Sequence, residues 1–141
     1  MAAAWIDTVR QTQPMFTHRN PQSIHPPVGP YSHQVDVPQD ARWLVLSGQV
    51  GMRADGSIPD TAVEQFDVAM ENVLRNCEEA GLGAEHIVKL TFYLVDDIAR
   101  EERGASLQRH FGDWQPCMTL VYVPRLAAPP IKVEIDAWAA A

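Results

Sequence analysis

WQPCMTLVYVPRLAAPPIKVEIDAWA, residues 114–139, contains two apolar-rich runs joined by a proline-rich turn. In its second half, apolar residues alternate with polar ones from position 131 to position 138, which is typical of a β-strand with one buried face. In its first half, residues 118–123 are rich in β-branched and aromatic side chains, and Pro124 follows where a central strand would not continue. We predict two strands that are neighbours in one sheet, with Glu134 on the face opposite the core.

Composition limits the classes of function. The chain has 141 residues, enough for one compact domain, and its 18 acidic against 11 basic side chains give a formal net charge of −7. This charge disfavours nonspecific binding to nucleic acid or to an anionic membrane. Two cysteines are too few for a disulfide framework, and no run approaches the ~20 apolar residues of a membrane span. The first residues also lack the basic region of a signal peptide, so we expect a cytoplasmic protein with a small-molecule ligand, no nucleic acid and no membrane.

The first third of the chain predicts an arm followed by a β-hairpin. Residues 1–19 form the arm, and the proline-punctuated sequence that continues from it has room for one short edge strand. Residues 31–37 alternate as a strand, residues 38–42 contain a turn, and residues 43–50 return as a strand that ends in Ser-Gly-Gln. A glycine at this end lets the backbone approach a ligand closely.

The middle of the chain contains the clearest helix signal. Apolar residues recur three and four positions apart from position 62 to position 80, Asp60 or Thr61 precedes them as a cap, and Gly81 follows as the end. Cys77 lies on the apolar stripe of this helix. We interpret Cys77 as a small buried hydrophobe rather than a reactive thiol.

A strand and a second helix complete the pattern. Residues 88–94 alternate as a strand, and a shorter helix is predicted from Asp96 and Asp97 to Phe111, although Gly104 weakens it. The order of elements is strand-rich, then helix, strand, helix and two strands. This order predicts an α+β fold in which two helices cover one face of a mixed sheet.

Four segments together resemble a known family. They are HPPVGPYSH at 25–33, LVLSGQVG at 44–51, AMENVLRNCEEAGLGAEHIVKLTFYLVD at 69–96 and VPRLAAPPIKVEIDAWA at 123–139. In this order and spacing they resemble the Rid family, the YjgF-type reactive intermediate deaminases, over a domain of residues 20–141. The resemblance implies a chorismate-mutase-like fold, a homotrimer with a ligand cleft between subunits, and hydrolysis of 2-imino or 2-enamino acids without a metal or organic cofactor.

The resemblance also assigns site residues. The tyrosine of the family's GPY motif is Tyr31, and the serine and glycine of its SGQ motif are Ser47 and Gly48. The glutamate of its closing IEIEA motif is Glu134, within IKVEIDA. The resemblance thus implies that Glu134 activates or positions water and that Tyr31 and the backbone near Ser47 hold the substrate. His33 shares a strand face with Tyr31 and is a further candidate for the cleft.

The chain departs from the family where the archetype binds the substrate carboxylate. The archetypal PAR-S-C pattern supplies an arginine and a cysteine, and those two positions hold Met118 and Leu120 here. Methionine offers an apolar wall instead of a forked cation. A ligand of this cleft therefore either lacks a carboxylate at that position or meets its charge elsewhere. The candidate cations are Lys132, Arg125 and Arg42, although such residues are more often simply solvated.

Two functional hypotheses follow from these residues. The first is a cofactor-free hydrolytic deaminase of an imine or enamine other than the usual 2-imino acids. The second is a noncatalytic small-molecule-binding or regulatory trimer that keeps the cleft without the chemistry. The alternative interpretation of the residues themselves is a core or interface aromatic for Tyr31 and a solvated residue for Glu134. A ribonuclease is disfavoured by the net charge of −7. The five histidines show no metal-ligand spacing, so no metal site is predicted.

Overall fold

The computed structural model describes residues 15–141, and these residues form seven strands and two α-helices. The strands are β1 (Thr17–Arg19), β2 (Gln34–Asp36), β3 (Trp43–Val45), β4 (Gln49–Val50), β5 (Ile87–Leu94), β6 (Cys117–Tyr122) and β7 (Val133–Ala140). The helices are α1 (Ala62–Glu79) and α2 (Arg100–Phe111). Most of the predicted arm, residues 1–14, lies outside the described residues.

The main sheet is mixed and has β7 and β5 at its centre. Its order is β3-β7-β5-β6, and β4 also pairs with β7. β5 and β6 run parallel, with α2 as the connection between them, while the other pairs of this sheet are antiparallel. β1 and β2 form a separate two-stranded antiparallel sheet.

Helix α1 begins and ends where the sequence predicts. The Thr61 hydroxyl accepts a hydrogen bond from the Glu64 backbone N–H at 3.2 Å, which satisfies one of the free donors of the first turn. After the helix, Gly81 adopts a φ of +77°, a left-handed conformation that favours glycine. The apolar stripe of α1 faces the sheet, and Cys77 is fully buried on it, as predicted.

The two faces of the sheet differ in what covers them. Both helices pack on one face, which we call the helix face, and the alternate residues of β5 and β7 that point there are buried. The opposite face, which we call the open face, carries large side chains that remain exposed, namely Trp43 (49%), Val45 (55%) and Trp138 (46%). The predicted α+β arrangement with two helices on one face is confirmed.

Two predicted strand pairings are wrong. β6 and β7 are not neighbours, because β5 lies between them and pairs with both. The long apolar β5 buries its helix face completely, so it takes the centre of the sheet, and β6 returns parallel to it through α2. The predicted hairpin of residues 31–50 is also absent from the described structure, since β2 pairs with β1 and β3 pairs with β7.

The predicted strand of residues 43–50 is divided in two. β3 and β4 both pair with β7, but the register shifts by one residue between them, so Ser47 and Gly48 form an irregular segment. Such a bulge bends a strand and redirects its side chains.

Candidate functional site

A cavity of about 370 Å³ opens between the helix face of the sheet, helix α2 and the loop at residues 28–31. Its lining comprises Val28, Gly29, Pro30, Tyr31, Phe66, Phe92, Arg100, Arg103, Gly104, Leu107, Met118 and Leu120. A volume of this size suits a small organic molecule. The cavity therefore brings together three of the predicted site residues, which are Tyr31, Met118 and Leu120.

The interior of the cavity is apolar. Phe66 of α1 and Phe92 of β5 are both buried and stack with ring centroids 5.4 Å apart. In the parallel pairing of β5 and β6, Met118 lies opposite Leu90 and Leu120 lies opposite Phe92, so both β6 side chains point to the helix face. They are half-buried and pack against the core. The predicted apolar wall thus lies beside an aromatic pair.

Tyr31 lies in the loop at the mouth of the cavity. Its hydroxyl oxygen accepts a hydrogen bond from the Val28 backbone N–H at 3.2 Å, which closes the loop on itself. The ring of His33 approaches the Tyr31 ring edge-on, with centroids 5.7 Å apart, but His33 does not line the cavity. The His33 Nε2 lies 2.8 Å from the carbonyl oxygen of His25. His33 is therefore a neighbour of Tyr31 rather than a wall of the same cavity.

Helix α2 contributes two cations that sequence reasoning did not select. Arg100, Arg103, Gly104 and Leu107 all line the cavity, at the three- and four-residue spacing of one helix face. This spacing was visible in the sequence, but no motif pointed to it. The cations that were considered instead, Lys132, Arg125 and Arg42, do not line the cavity. Lys132 is paired with Asp96 at 3.3 Å.

Glu134 lies on the open face, away from the cavity. It pairs with Tyr93 in the β5–β7 register, while its neighbour Ile135 is buried on the helix face. Glu134 packs closely against Gly48, because a Cβ at Gly48 would overlap the Glu134 carboxylate. Ser47 next to it is exposed. The structure therefore places Ser47, Gly48 and Glu134 together, but on the face opposite to Met118.

Other polar groups surround Glu134 on the open face. The Tyr93 hydroxyl donates to Asp136 Oδ2 at 3.0 Å. This hydrogen bond, together with burial and the negative charges of Asp136 and Glu134, raises the pKa of Tyr93 above its ordinary value. Lys89 Nζ donates to Thr119 Oγ1 at 2.6 Å. The centre of the open face is thus polar, and its apolar residues lie toward one end.

Neither cysteine occupies the cavity. Cys117 precedes Met118 on β6 and points to the opposite face, as the strand pleat predicts. Cys77 is buried among core residues, and this burial raises the pKa of its thiol. Within residues 15–141, no group of three or more histidine, cysteine, aspartate or glutamate side chains is arranged to hold a metal ion. No helix in the same range is long and apolar enough to span a membrane.

Comparisons with known proteins agree on one family. The model of the endoribonuclease L-PSP family matches residues 22–141. A RutC family protein of Aquifex aeolicus is 34% identical over 113 residues, which cover 78% of this chain and 86% of that protein. The 2-iminobutanoate/2-iminopropanoate deaminase of Escherichia coli K12 is 29% identical over 114 residues, covering 78% of this chain and 86% of that enzyme.

Solved structures show the same fold. A Rid family protein of Yersinia pestis superimposes with a TM-score of 0.79 at 24% identity, and the match covers 90% of this chain and 99% of that one. The YjgF gene product of Escherichia coli superimposes with a TM-score of 0.63 at 28% identity, covering 80% of this chain and 89% of that one.

Proposed function

Because the chain belongs to the endoribonuclease L-PSP family, the family of the YjgF and Rid proteins, we propose that it is a cofactor-free hydrolytic deaminase of imines or enamines. The observation that carries this proposal is the cavity of about 370 Å³ whose mouth holds Tyr31. A relative that is 29% identical is named as an imine deaminase, which supports the reaction class. Turnover would take place in the cytoplasm.

The proposed reaction needs a water molecule and a group that accepts its proton. In the first step, the water oxygen attacks the imine carbon while Glu134 accepts a proton from the water. In the second step, Glu134 passes this proton to the nitrogen, the hydroxyl proton of the tetrahedral intermediate follows it, and the carbon–nitrogen bond breaks, so that ammonia leaves as the carbonyl product forms. Tyr31 and the backbone beside Ser47 orient the substituents of the reacting carbon in this scheme. A positioned carboxylate of this kind typically contributes about 10²–10⁴-fold to the rate.

The proposed reaction uses a site that is shared between two copies of the chain, and the location of Glu134 supports this arrangement. Tyr31 lies at the cavity on the helix side, and Glu134 lies on the open face of the same sheet, so one copy cannot direct both at one substrate. Trp43, Val45 and Trp138 leave apolar surface exposed on the open face, which supports its burial against another copy. Two different surfaces then meet, and such a heterologous contact closes into a ring. We propose the homotrimer that the resemblance implies.

Met118 sets the substrate class apart from 2-imino acids. An arginine at this position would form a charge-assisted, two-pronged contact with a carboxylate on the reacting carbon, and the methionine thioether cannot. A carboxylate held beside Met118 and Leu120 would be desolvated without a partner, which costs on the order of several kcal/mol. The proposed substrates are therefore imines or enamines that carry no carboxylate at the reacting carbon.

Ammonia release from freshly generated imines tests this function. An amino-acid oxidase supplies 2-imino acids and an amine oxidase supplies carboxylate-free imines, each coupled to the purified protein. We expect release to be accelerated for imines without a carboxylate at the reacting carbon, and not for the 2-imino acids. Met118→Arg should extend the reaction to 2-imino acids, while Met118→Leu, which preserves the apolar wall, should not.

The other outcomes separate the alternatives. Rapid turnover of 2-imino acids by the unaltered protein would contradict the role given to Met118. No turnover of any imine, combined with ligand-dependent thermal stabilisation, would favour the noncatalytic binding trimer over the deaminase.

A further inference from the structure

The cavity lined by Met118 is positively charged, although the chain as a whole is acidic. Within residues 15–141, Arg100 and Arg103 line it and no aspartate or glutamate does, whereas the formal net charge of the chain is −7. The cavity lined by Arg53 and Arg75 shows the contrast, because one aspartate and one glutamate line it as well. The charge of the two α2 arginines is thus not compensated within the cavity lining.

The Arg103 guanidinium is held through Nη1, and its other N–H groups remain available to a ligand. Its Nη1 donates to the Ile98 carbonyl oxygen at 2.5 Å and lies 3.4 Å from the Tyr122 hydroxyl, which in turn donates to Asp97 at 2.7 Å. Within residues 15–141, no hydrogen bond or ion pair engages Nη2 or Nε of Arg103. A guanidinium that is oriented by backbone and still has unused N–H groups is suited to a forked contact with a carboxylate.

Arg100 has a different attachment, which links α2 to the mouth of the cavity. Its Nη2 donates to the Val28 carbonyl oxygen. Val28 also donates its N–H to the hydroxyl of Tyr31, so the two contacts connect α2, the loop and the tyrosine. The loop thereby holds Arg100 beside the entrance, where a second positive charge favours an anionic ligand.

Gly104 leaves room beside these arginines. Glycine in the interior of a helix costs roughly 1 kcal/mol relative to alanine, yet a Cβ at Gly104 would meet no atom within 4 Å. Packing within the chain therefore does not require glycine at this position. The space it leaves lies in the cavity lining, next to Arg103.

We propose that Arg103, supported by Arg100, binds the acidic group of the ligand, and that the cavity accepts imines or enamines whose carboxylate is separated from the C=N carbon by an apolar spacer. This inference rests on the proposed function, since it assigns a ligand class to the same cavity. Met118 and Leu120 on β6 contact the spacer, and the arginines meet the acid from α2. The site thus has a positive charge that is supplied by helix α2 and not by position 118 of β6.

Binding of matched probes to the whole chain tests this assignment without requiring turnover. The probes are 3-phenylpropanoate and its neutral amide, 3-phenylpropanamide, measured by titration calorimetry. We expect the carboxylate to bind roughly tenfold or more tightly than the amide, since hydrogen bonds to charged groups are the stronger ones. Arg103→Gln should remove this preference. Arg125→Gln makes the same change of net charge at an exposed residue outside the cavity, and it should retain the preference.

The ligand series on the unaltered protein decides the matter even if Arg103→Gln fails to fold. Equal affinity for the two probes, or no binding of the carboxylate at millimolar concentration, would overturn the anion site. A preference that survives in a folded Arg103→Gln,Arg100→Gln variant would also overturn it. The binding assay and the ammonia assay test the two proposals separately. A carboxylate preference that depends on Arg103, without ammonia release from any imine, would support the anion site and contradict the proposed deaminase reaction.

Discussion

The two faces of the main sheet are built from the same strands but have different roles. Strand β7 supplies both: Ile135 is fully buried on the helix face, while Trp138 remains 46% exposed on the open face. The helix face is completed by α1 and α2 within one chain. On the open face, the segment of Phe16 and strand β2 covers only one end, around Val88 and Ala140, and an aromatic pair, Trp43 and Trp138, remains at the surface.

This difference explains how the predicted site is divided. Met118 pairs with Leu90 and points to the helix face, whereas Glu134 pairs with Tyr93 and points to the open face. This follows from the strand pleat, in which successive side chains point to opposite faces. The helix face can form a core and a cavity in a single copy, whereas the chemistry proposed here needs the open face of another. In the proposed mechanism, the helix face supplies the core and the cavity, and the open face supplies the carboxylate, so changes to each face should have separable consequences.

The largest effect is expected when the open face loses its carboxylate. Glu134→Gln keeps the shape of the side chain but cannot accept a proton from water, so we expect ammonia release to fall by about 10²–10⁴-fold. The melting temperature should change little, since Glu134 makes no contribution to the buried core. Steady-state rates on the best imine substrate, beside thermal unfolding of both proteins, measure the two quantities.

Mixing two inactive variants tests whether the site is shared between copies. Co-expression of Glu134→Gln with Tyr31→Ala should restore roughly a quarter of the activity, because a random ring then contains interfaces with an intact Tyr31 from one copy and an intact Glu134 from its neighbour. Each variant expressed by itself, at the level reached by the unaltered protein, serves as the control. No recovery in verified mixed rings would mean that both residues act within one copy.

The helix face should respond through stability instead. Ile135→Ala creates a cavity in the buried core, and we expect it to lower the free energy of unfolding by about 2–5 kcal/mol. The matched change on the open face, Trp138→Ala, should have a smaller effect on unfolding of a single copy and should weaken assembly. Urea unfolding and sedimentation velocity distinguish the two. The comparison between the faces fails if Trp138→Ala unfolds the protein as strongly as Ile135→Ala while assembly is unchanged.

An acidic pH should weaken the contact between the two helices. Asp67 of α1 binds Arg109 of α2 through both carboxylate oxygens, at 2.7 and 2.8 Å, and accepts the Ser106 hydroxyl at 2.5 Å. Partial burial alone would raise the pKa of Asp67, but the hydrogen bonds from Ser106 and Arg109 outweigh it and hold the pKa below the ordinary 3.8. A lowered pKa in the folded state means that this stabilisation is present above the ordinary value and is lost as the pH falls through the folded one.

Asp67→Asn isolates this contribution. At neutral pH the variant should be less stable than the unaltered protein by roughly 1 kcal/mol, as for a partly exposed ion pair. The difference should shrink as the pH falls below 3.8 toward the lowered pKa of Asp67, where the carboxylate is protonated in both states. Urea unfolding of both proteins across this range measures it. A difference that stays constant with pH would mean that the charge of Asp67 is not what joins the helices.

The sequence predicted the elements better than their pairing. Helix α1 is determined by signals within one continuous segment, namely the Thr61 cap, the apolar spacing and Gly81. The position of β5 between β6 and β7 is a long-range choice, and alternation alone shows only that a strand has a buried face, not which strand lies beside it. The same limit explains why the hairpin of residues 31–50 was expected.

Prediction of the site followed a similar division. The alternation of β7 placed Glu134 opposite the core from the sequence alone, and the pleat placed Cys117 away from Met118. The contribution of α2 was missed, because Arg100 and Arg103 belong to no motif and become significant only when the helix packs beside Met118. Residues such as Glu134 could be selected from the sequence by their type and strand position. Arg100 and Arg103 could be recognised only from their neighbours in the folded chain.

The smallest effect is expected at Gly104, where stability and binding should change in opposite directions. A Cβ at this position meets no atom within 4 Å, so Gly104→Ala should fit and should stabilise helix α2 by about 0.5–1 kcal/mol. The methyl group would occupy the cavity beside Arg103, so affinity for 3-phenylpropanoate should fall by a few-fold. Thermal unfolding and calorimetric titration of the same preparation measure both. If the variant gains stability and binds 3-phenylpropanoate as well as before, then Gly104 does not contribute to ligand binding. Helix α2 would then be only a packing surface at this position, as β7 is at Ile135.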